Sequence, residues 1–197
     1  MRGDLVKAIL SELLNFVRCR VNYASVNWKW RLGVQRPGTL RLHLGCGEQR
    51  LTGYVNIDRR KTPATDLVCG VEKLPYPDDS VQLIETYHVI EHLPRHDLPA
   101  VLGEWYRVLA PGGRLIIECP DFDAAVKEYL VGREERLDSI FGLQRFPGDA
   151  HLFGYNLARL KSLLQKVGFV GITQEKAQDY HAEHEPCLRV ECVKERG

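Results

Sequence analysis

The stretch LHLGCGEQRLTGYVNID, Leu42 to Asp58, sets two glycines around a cysteine directly after one apolar run, and ends a second apolar run on an aspartate. Gly45 and Gly47 lack a Cβ, so the chain there can turn tightly and let a ligand approach the backbone. A carboxylate closing the next strand can accept hydrogen bonds from both hydroxyls of a ribose. Together these residues form a nucleoside-binding pattern. A plain tight turn followed by a solvated Asp58 is the competing reading, because short glycine motifs recur by chance. A dinucleotide fingerprint needs a third glycine where this chain has Arg50, which speaks against a pyrophosphate site.

Other residues carry chemistry of their own. HVIEH, His88 to His92, has the H-x-x-E-H spacing of a zinc peptidase. That spacing binds a metal on a helix, and His88 falls in a strand-to-helix turn, so no metal is expected. His88, Tyr87, Asp121 and His151 are candidate groups for handling a substrate, with hydrogen-bonded packing as the equal alternative for each. His92 reads as a packing residue, and His96 with Asp97 as the start of a helix. Cys46 has no evident base, which speaks against a nucleophile. DYHAEHEP, 179–186, reads as a solvated loop between strands and not as a metal cluster.

These groups need a scaffold, and the chain is long enough for one. Its 197 residues with 44% hydrophobic content suit one domain with a sizeable core. The net charge is +1, but residues 1–41 alone hold +6, so the remainder is slightly acidic and no nucleic-acid platform is expected. Six cysteines form no CxxC pair and several stand in apolar runs, which implies a reducing, cytoplasmic setting. No apolar run reaches the roughly 18–20 residues of a membrane span, and Lys7, Ser11, Glu12 and Asn15 interrupt any signal-peptide core.

Residues 4–18 repeat apolar positions at helical spacing, and NWKWRLG follows. Residues 1–38 are therefore expected to form a helical arm that packs on the domain as a lid or wall, with peripheral membrane contact as a lesser alternative. From Thr39 short apolar runs alternate with helical patterns. Strands are predicted at TLRLHL, YVNID, TDLVC, VQLIET, RLIIECP, VGITQEKA and CLRVECVK. Helices are predicted at HDLPAVLGEWYRVL, ended by APGG, and at NLARLKSLLQKVGF between an Asn156 N-cap and Gly168. The near-continuous apolar strands predict a parallel sheet covered on both faces, with ligands bound beyond the strands' carboxyl ends.

The runs LPYPDDSVQLIETYHVIEHL and LGEWYRVLAPGGRLIIECP, taken with LGCG and Asp58, closely resemble the class I S-adenosylmethionine-dependent methyltransferases, in particular the small type 11 domains. The resemblance runs from about Leu40 to Pro120, and HLFGYNLARLKSLLQKVGF adds a less specific match. It implies a doubly wound, Rossmann-like, seven-stranded and mostly parallel sheet with an antiparallel last strand over residues 39–197. It implies S-adenosylmethionine as cofactor, with Leu44, Gly45, Cys46 and Gly47 at the methionine part and Asp58 with Arg59 at the ribose. Gly70, Val71 and Glu72 would border the adenine, and Thr86, Tyr87 and His88 would face the transferred methyl. The implied activity is methyl transfer to a small-molecule or glycan acceptor, with no oligomeric state indicated. His43 and Gly70 depart from the family's usual acidic residues. A catalytically inactive cofactor-binding or partner-binding module is the alternative that these departures support.

Overall fold

The structure, a computed structural model, describes residues 39–196; the expected arm over residues 1–38 lies outside them. Seven strands form one sheet: β1 Arg41–Leu44, β2 Val55–Asp58, β3 Leu67–Val68, β4 Val81–Tyr87, β5 Leu109–Pro120, β6 Phe169–Glu175 and β7 Cys187–Lys194. Their order is β3-β2-β1-β4-β5-β7-β6. All pairs are parallel except those of β7, which runs antiparallel to both β5 and β6. The order reverses at β1, which pairs with β2 on one side and β4 on the other, so the crevice lies beyond Leu44.

Four helices are described: α1 Leu98–Val108, α2 Phe122–Leu130, α3 Arg136–Phe141 and α4 Leu157–Val167. Leu98, Val101, Leu102, Trp105 and Val108 bury one stripe of α1. This stripe and Leu160 and Leu164 of α4 pack on Leu42, Leu44, Ile57, Ile84, Leu115, Ile117, Leu188 and Val190. The Asn156 side chain accepts from Arg159 N at 2.9 Å to start α4, and Gly168 ends it in the left-handed conformation, as its type predicts.

The strands alternate, and among the described residues α1 and α4 cover the apolar face. The second face is more polar but buried too: His43, in register with Asn56 and Glu85, is 2% exposed, and Asn56 and Glu118 are 0% exposed. One expectation needs correction: APGG does not end α1. The helix stops at Val108, and Ala110–Gly113 bulge out of β5, where the register jumps between Val81 and Leu83. A Cβ on Gly113 would lie 2.8 Å from the Ala110 carbonyl oxygen, so the bulge requires a glycine there.

Helix α1 also pins the turns between β3 and β4. The buried Trp105 donates through Nε1 to the Val71 carbonyl at 2.9 Å. Arg107 donates to the Leu74 and Tyr76 carbonyls and pairs with Asp78 at 2.6 Å, while Glu104 accepts from Leu74 N at 2.8 Å and from Arg107. Burial alone would raise the Glu104 carboxyl, but the Arg107 guanidinium and the Leu74 N–H outweigh it and hold it below its ordinary value. The stabilisation this gives is present above the unfolded value of 4.5 and is lost as pH falls through the lower folded value. Glu104→Gln should therefore lower stability at pH 7 and lower it less at pH 3, as urea unfolding at the two pH values will show.

Candidate functional site

At the end of β1 the chain passes through Gly45 at φ +68° and Gly47 at φ +51°, both in the left-handed region. This turn lies against the end of β2. Cys46 N donates to the Ile57 carbonyl at 3.0 Å, and Gly47 N donates to Asp58 Oδ2 at 2.8 Å. Arg60 N donates to Asp58 Oδ1 at 2.7 Å. Each carboxylate oxygen thus takes one N–H and keeps a lone pair, on a buried residue that lines a cavity of about 760 Å³.

The two glycines serve different ends. A Cβ on Gly45 would overlap Val89 Cγ2, whereas one on Gly47 would meet only Arg60 Nη2 at 3.9 Å. Gly45 is therefore a packing requirement of the turn after β4, and Gly47 leaves open space beside Asp58. Between them the Cys46 thiol is buried toward Thr65 Oγ1 at 3.8 Å, and burial pushes it up, which agrees with the absence of a nucleophile there. On the far side of Asp58, Gly70, Val71 and Glu72 line the same cavity, and the Glu72 carboxylate folds against Gly70 where a Cβ would clash.

Of the residues singled out in the sequence, Gly45, Cys46, Gly47, Asp58, Arg59, Gly70, Val71, Glu72, Tyr87, His88 and His151 line this one cavity. Three do not. The Leu44 side chain is fully buried in the core. Thr86 stands in register with Leu44 on the apolar face, its hydroxyl buried and without a hydrogen-bond partner. Asp121 is the N-cap of α2, accepting from Ala124 N at 3.2 Å, so its carboxylate is committed to the helix end.

Tyr87 and His88 both hold their protons more tightly than the free side chains do. Burial and the Glu85 carboxylate, to which its hydroxyl donates, keep the Tyr87 phenol protonated by raising it. His88 has the left-handed backbone angle φ +53° and stacks on His181 with ring centroids 3.9 Å apart. Burial alone would lower its imidazole, but Cys187 and the buried Glu91, whose Oε1 is 3.2 Å from Nδ1, raise it to about 11.

Of the opposite wall, the sequence singled out His151 and not the rest. This wall is built by His92 and Leu93, by Arg145, Phe146 and His151, and by Asp179 to His181 with His184 and Glu185. DYHAEHEP joins β6 to β7 with Tyr180, Ala182, Glu183 and His184 exposed, and its half-buried Asp179, His181 and Glu185 reach the cavity. Glu118, wholly buried, accepts from the backbone N–H groups of Gln178 and Asp179 at 3.0 to 3.1 Å and draws this segment over the strand ends. Its density of histidine and acid was the available signal. His92 Nδ1 donates to the Ala150 carbonyl at 3.1 Å and His151 Nδ1 to the Ser139 carbonyl at 3.0 Å, and burial lowers the His151 imidazole.

The family model for a methyltransferase domain matches residues 46–117. Over 157 residues, 71% of the chain, it is 31% identical to a probable S-adenosylmethionine-dependent methyltransferase of Mycolicibacterium smegmatis. It is 33% identical over 118 residues, 48% of the chain, to an uncharacterized 37.1 kDa protein in a transposon of Streptomyces fradiae. The chain spans 55% and 34% of those two relatives' lengths. Among solved structures, the 1,6-didemethyltoxoflavin-N1-methyltransferase of Burkholderia thailandensis, with S-adenosylhomocysteine bound, is similar in fold. The likeness covers 98% of this chain and 87% of that one, with a TM-score of 0.57 and 16% identity.

The Gly45 contact generates a test that needs no ligand. Gly45→Ala should lower the melting temperature of the free protein, and Val89→Ala should recover part of that loss. A coupling of about 0.5 to 3 kcal/mol is expected in a double-mutant cycle followed by urea unfolding. The part not recovered reports the cost of a side chain at positive φ.

Proposed function

Because the chain belongs to the class I S-adenosylmethionine-dependent methyltransferases, we propose that it moves a methyl group from S-adenosylmethionine to a small-molecule or glycan acceptor held in the cavity. The observation that carries this reading is the continuity of the cavity from Asp58 and Gly47 to the histidine-lined wall. The residues present fit the cofactor. Asp58 keeps a lone pair on each oxygen for the two ribose hydroxyls, Gly47 leaves the backbone open, and Val71 and Glu72 stand where the base would lie. When bound, S-adenosylmethionine supplies a methyl carbon already made electrophilic by the sulfonium.

The protein's contribution is then alignment and the exclusion of water. Tyr87 gives its O–H to Glu85, and His88 is held by Glu91 and Cys187, so both fix the shape of the cavity wall. His92 and His151 donate Nδ1–H to backbone carbonyls, so in the neutral ring each has a lone pair on Nε2 for the acceptor side. Leu143 and Phe146, exposed at the same mouth, give an apolar edge for the acceptor's remainder, and Arg60 lies over the Phe146 ring at 4.7 Å.

S-adenosylhomocysteine should raise the melting temperature, and NAD should not, because only a ligand of the folded state stabilises by mass action. Asp58→Ala strips the acceptor from Gly47 N and Arg60 N and so disturbs the loop itself; Asp58→Asn keeps one oxygen but sets its NH2 against the other N–H, so its binding is read beside its urea stability. It should weaken S-adenosylhomocysteine binding by roughly tenfold or more, as lost charged hydrogen bonds of about 1.5 to 3 kcal/mol imply. Calorimetry measures this, and a wild-type protein that shows no thermal shift at millimolar ligand would sink the reading. The acceptor is then sought by following methyl transfer into fractionated metabolites and glycans.

A further inference from the structure

We infer that Glu91, His92 and His151 bind a divalent transition-metal ion of the zinc class at the acceptor end of the cavity. Their ligand atoms lie within 4.8 Å of one another, and the two histidines line the cavity above a wholly buried carboxylate. A tetrahedral ion needs such atoms about 3.3 Å apart, given bonds of about 2.0 to 2.2 Å, a distance that side-chain rotation supplies.

Two independent features prepare the site. His92 and His151 each donate Nδ1–H to a backbone carbonyl, which can only accept, so in the neutral ring the lone pair is on Nε2. Metal-ligating histidines are fixed in this way by an outer carbonyl partner. Glu91 is 2% exposed, and neither carboxylate oxygen has a hydrogen-bond partner. His88 lies at ion-pair distance, with Nδ1 3.2 Å from Oε1. A buried carboxylate is costly unless it is paired and hydrogen-bonded, and an ion between the two Nε2 atoms satisfies the oxygens that the protein leaves bare. No metal is expected at HVIEH itself, because His88 lies outside a helix and the family it resembles carries that spacing without one; here residue 151 and not His88 supplies the third ligand.

Two neighbouring sets are less suited. His88 with Asp179 and His181, or with Glu185 and Cys187, also falls within ligand distance. His88 is already engaged on both nitrogens, by Glu91 and by Cys187, and Asp179 and His181 are hydrogen-bonded to each other. With three protein ligands, an ion at Glu91, His92 and His151 keeps a coordination position open to the cavity, the arrangement of reactive zinc centres and not of structural ones.

The test uses the full chain, stripped with a chelator and titrated with Zn²⁺ by calorimetry and with Co²⁺ by visible absorption. One ion per chain is expected. His92→Gln and His151→Gln should each weaken it by more than the roughly 10- to 100-fold that loss of an outer partner costs. His181→Gln should retain it. A retained S-adenosylhomocysteine thermal shift in the variants shows that they are folded, and it keeps the metal question apart from the methyl-transfer reading. Where a variant does not fold, the wild type carries the test: Zn²⁺ should protect His92 and His151 from diethyl pyrocarbonate while the exposed His96 reacts. No uptake of either ion, no protection, or binding that survives His151→Gln but is lost in His181→Gln overturns the proposal.

Discussion

Three carboxylates buried at the carboxyl ends of the strands are the constraint on which the site is built. Asp58 ends β2 at 7% exposure, Glu118 lies in β5 at 0%, and Glu91 follows β4 at 2%. A buried charge is tolerated only with partners, so each acid organises the chain around it. Asp58 draws the turn after β1 onto β2 through Gly47 N and brings Arg60 N in from the other side. Glu118 draws in Gln178, Asp179 and Arg189, which sets the position of the wall carrying His181. Glu91 has His88 at ion-pair distance and His92 and His151 within 4.8 Å. Two of the three thus account for the shape of the cavity, and the third keeps acceptor capacity beside two of its histidines.

The polar face of the sheet follows from the same economy of partners. A parallel crossover commonly takes a dozen or more residues and a helix, yet residues 45–54 join β1 to β2 with neither. Side chains do the work of the missing helix. Asn56 Oδ1 accepts from Leu51 N at 2.9 Å, its amide donates to the Leu51 and Tyr54 carbonyls, and Asp66 ties it to Arg50. Because Asn56 Oδ1 is an acceptor, His43 donates to it from Nδ1, and burial keeps that imidazole lowered and neutral. Arg50, which speaks against a pyrophosphate in the sequence, turns out to be part of this brace. The loop that would touch a cofactor is held by a network independent of any ligand.

Most of the scaffold was legible in the sequence because its signals are local. Asn156 and Gly168 bound α4 through their own backbone geometry, and Leu42, Ile57 and Ile84 mark strands by composition. Gly47 and Asp58 were legible for the same reason: few residue types suit an open turn and a strand-end acceptor. Thr86 was misplaced by one step of strand alternation, which puts it with Leu44 and leaves Tyr87 on the cavity side. Of the histidine wall only His151 was legible, by its type. His92 meets His151 and His88 meets His181 between segments about 60 and 90 positions apart, and no local periodicity records such meetings. The bonds that assemble it run from Glu118 to Gln178 and from His92 to Ala150.

One short segment joins the two halves of the site. His88 takes a left-handed angle at the end of β4, which turns the chain so that Val89 seats on Gly45 while Glu91 and His92 point the other way. The 3-10 turn Ile90–His92 then anchors the far wall, since the Glu91 carbonyl accepts from Leu152 N at 2.7 Å, next to His151. No residue intervenes between Val89 and the 3-10 turn, and Ile90 is fully buried, so a displacement of Val89 by anything pressing on the Gly45 turn is transmitted to Glu91 and His92. The packing of Val89 against a glycine is what makes that transmission close-fitting. A residue with a Cβ at position 45 would push the turn away and uncouple the cofactor side from the acceptor side, even if both walls survived.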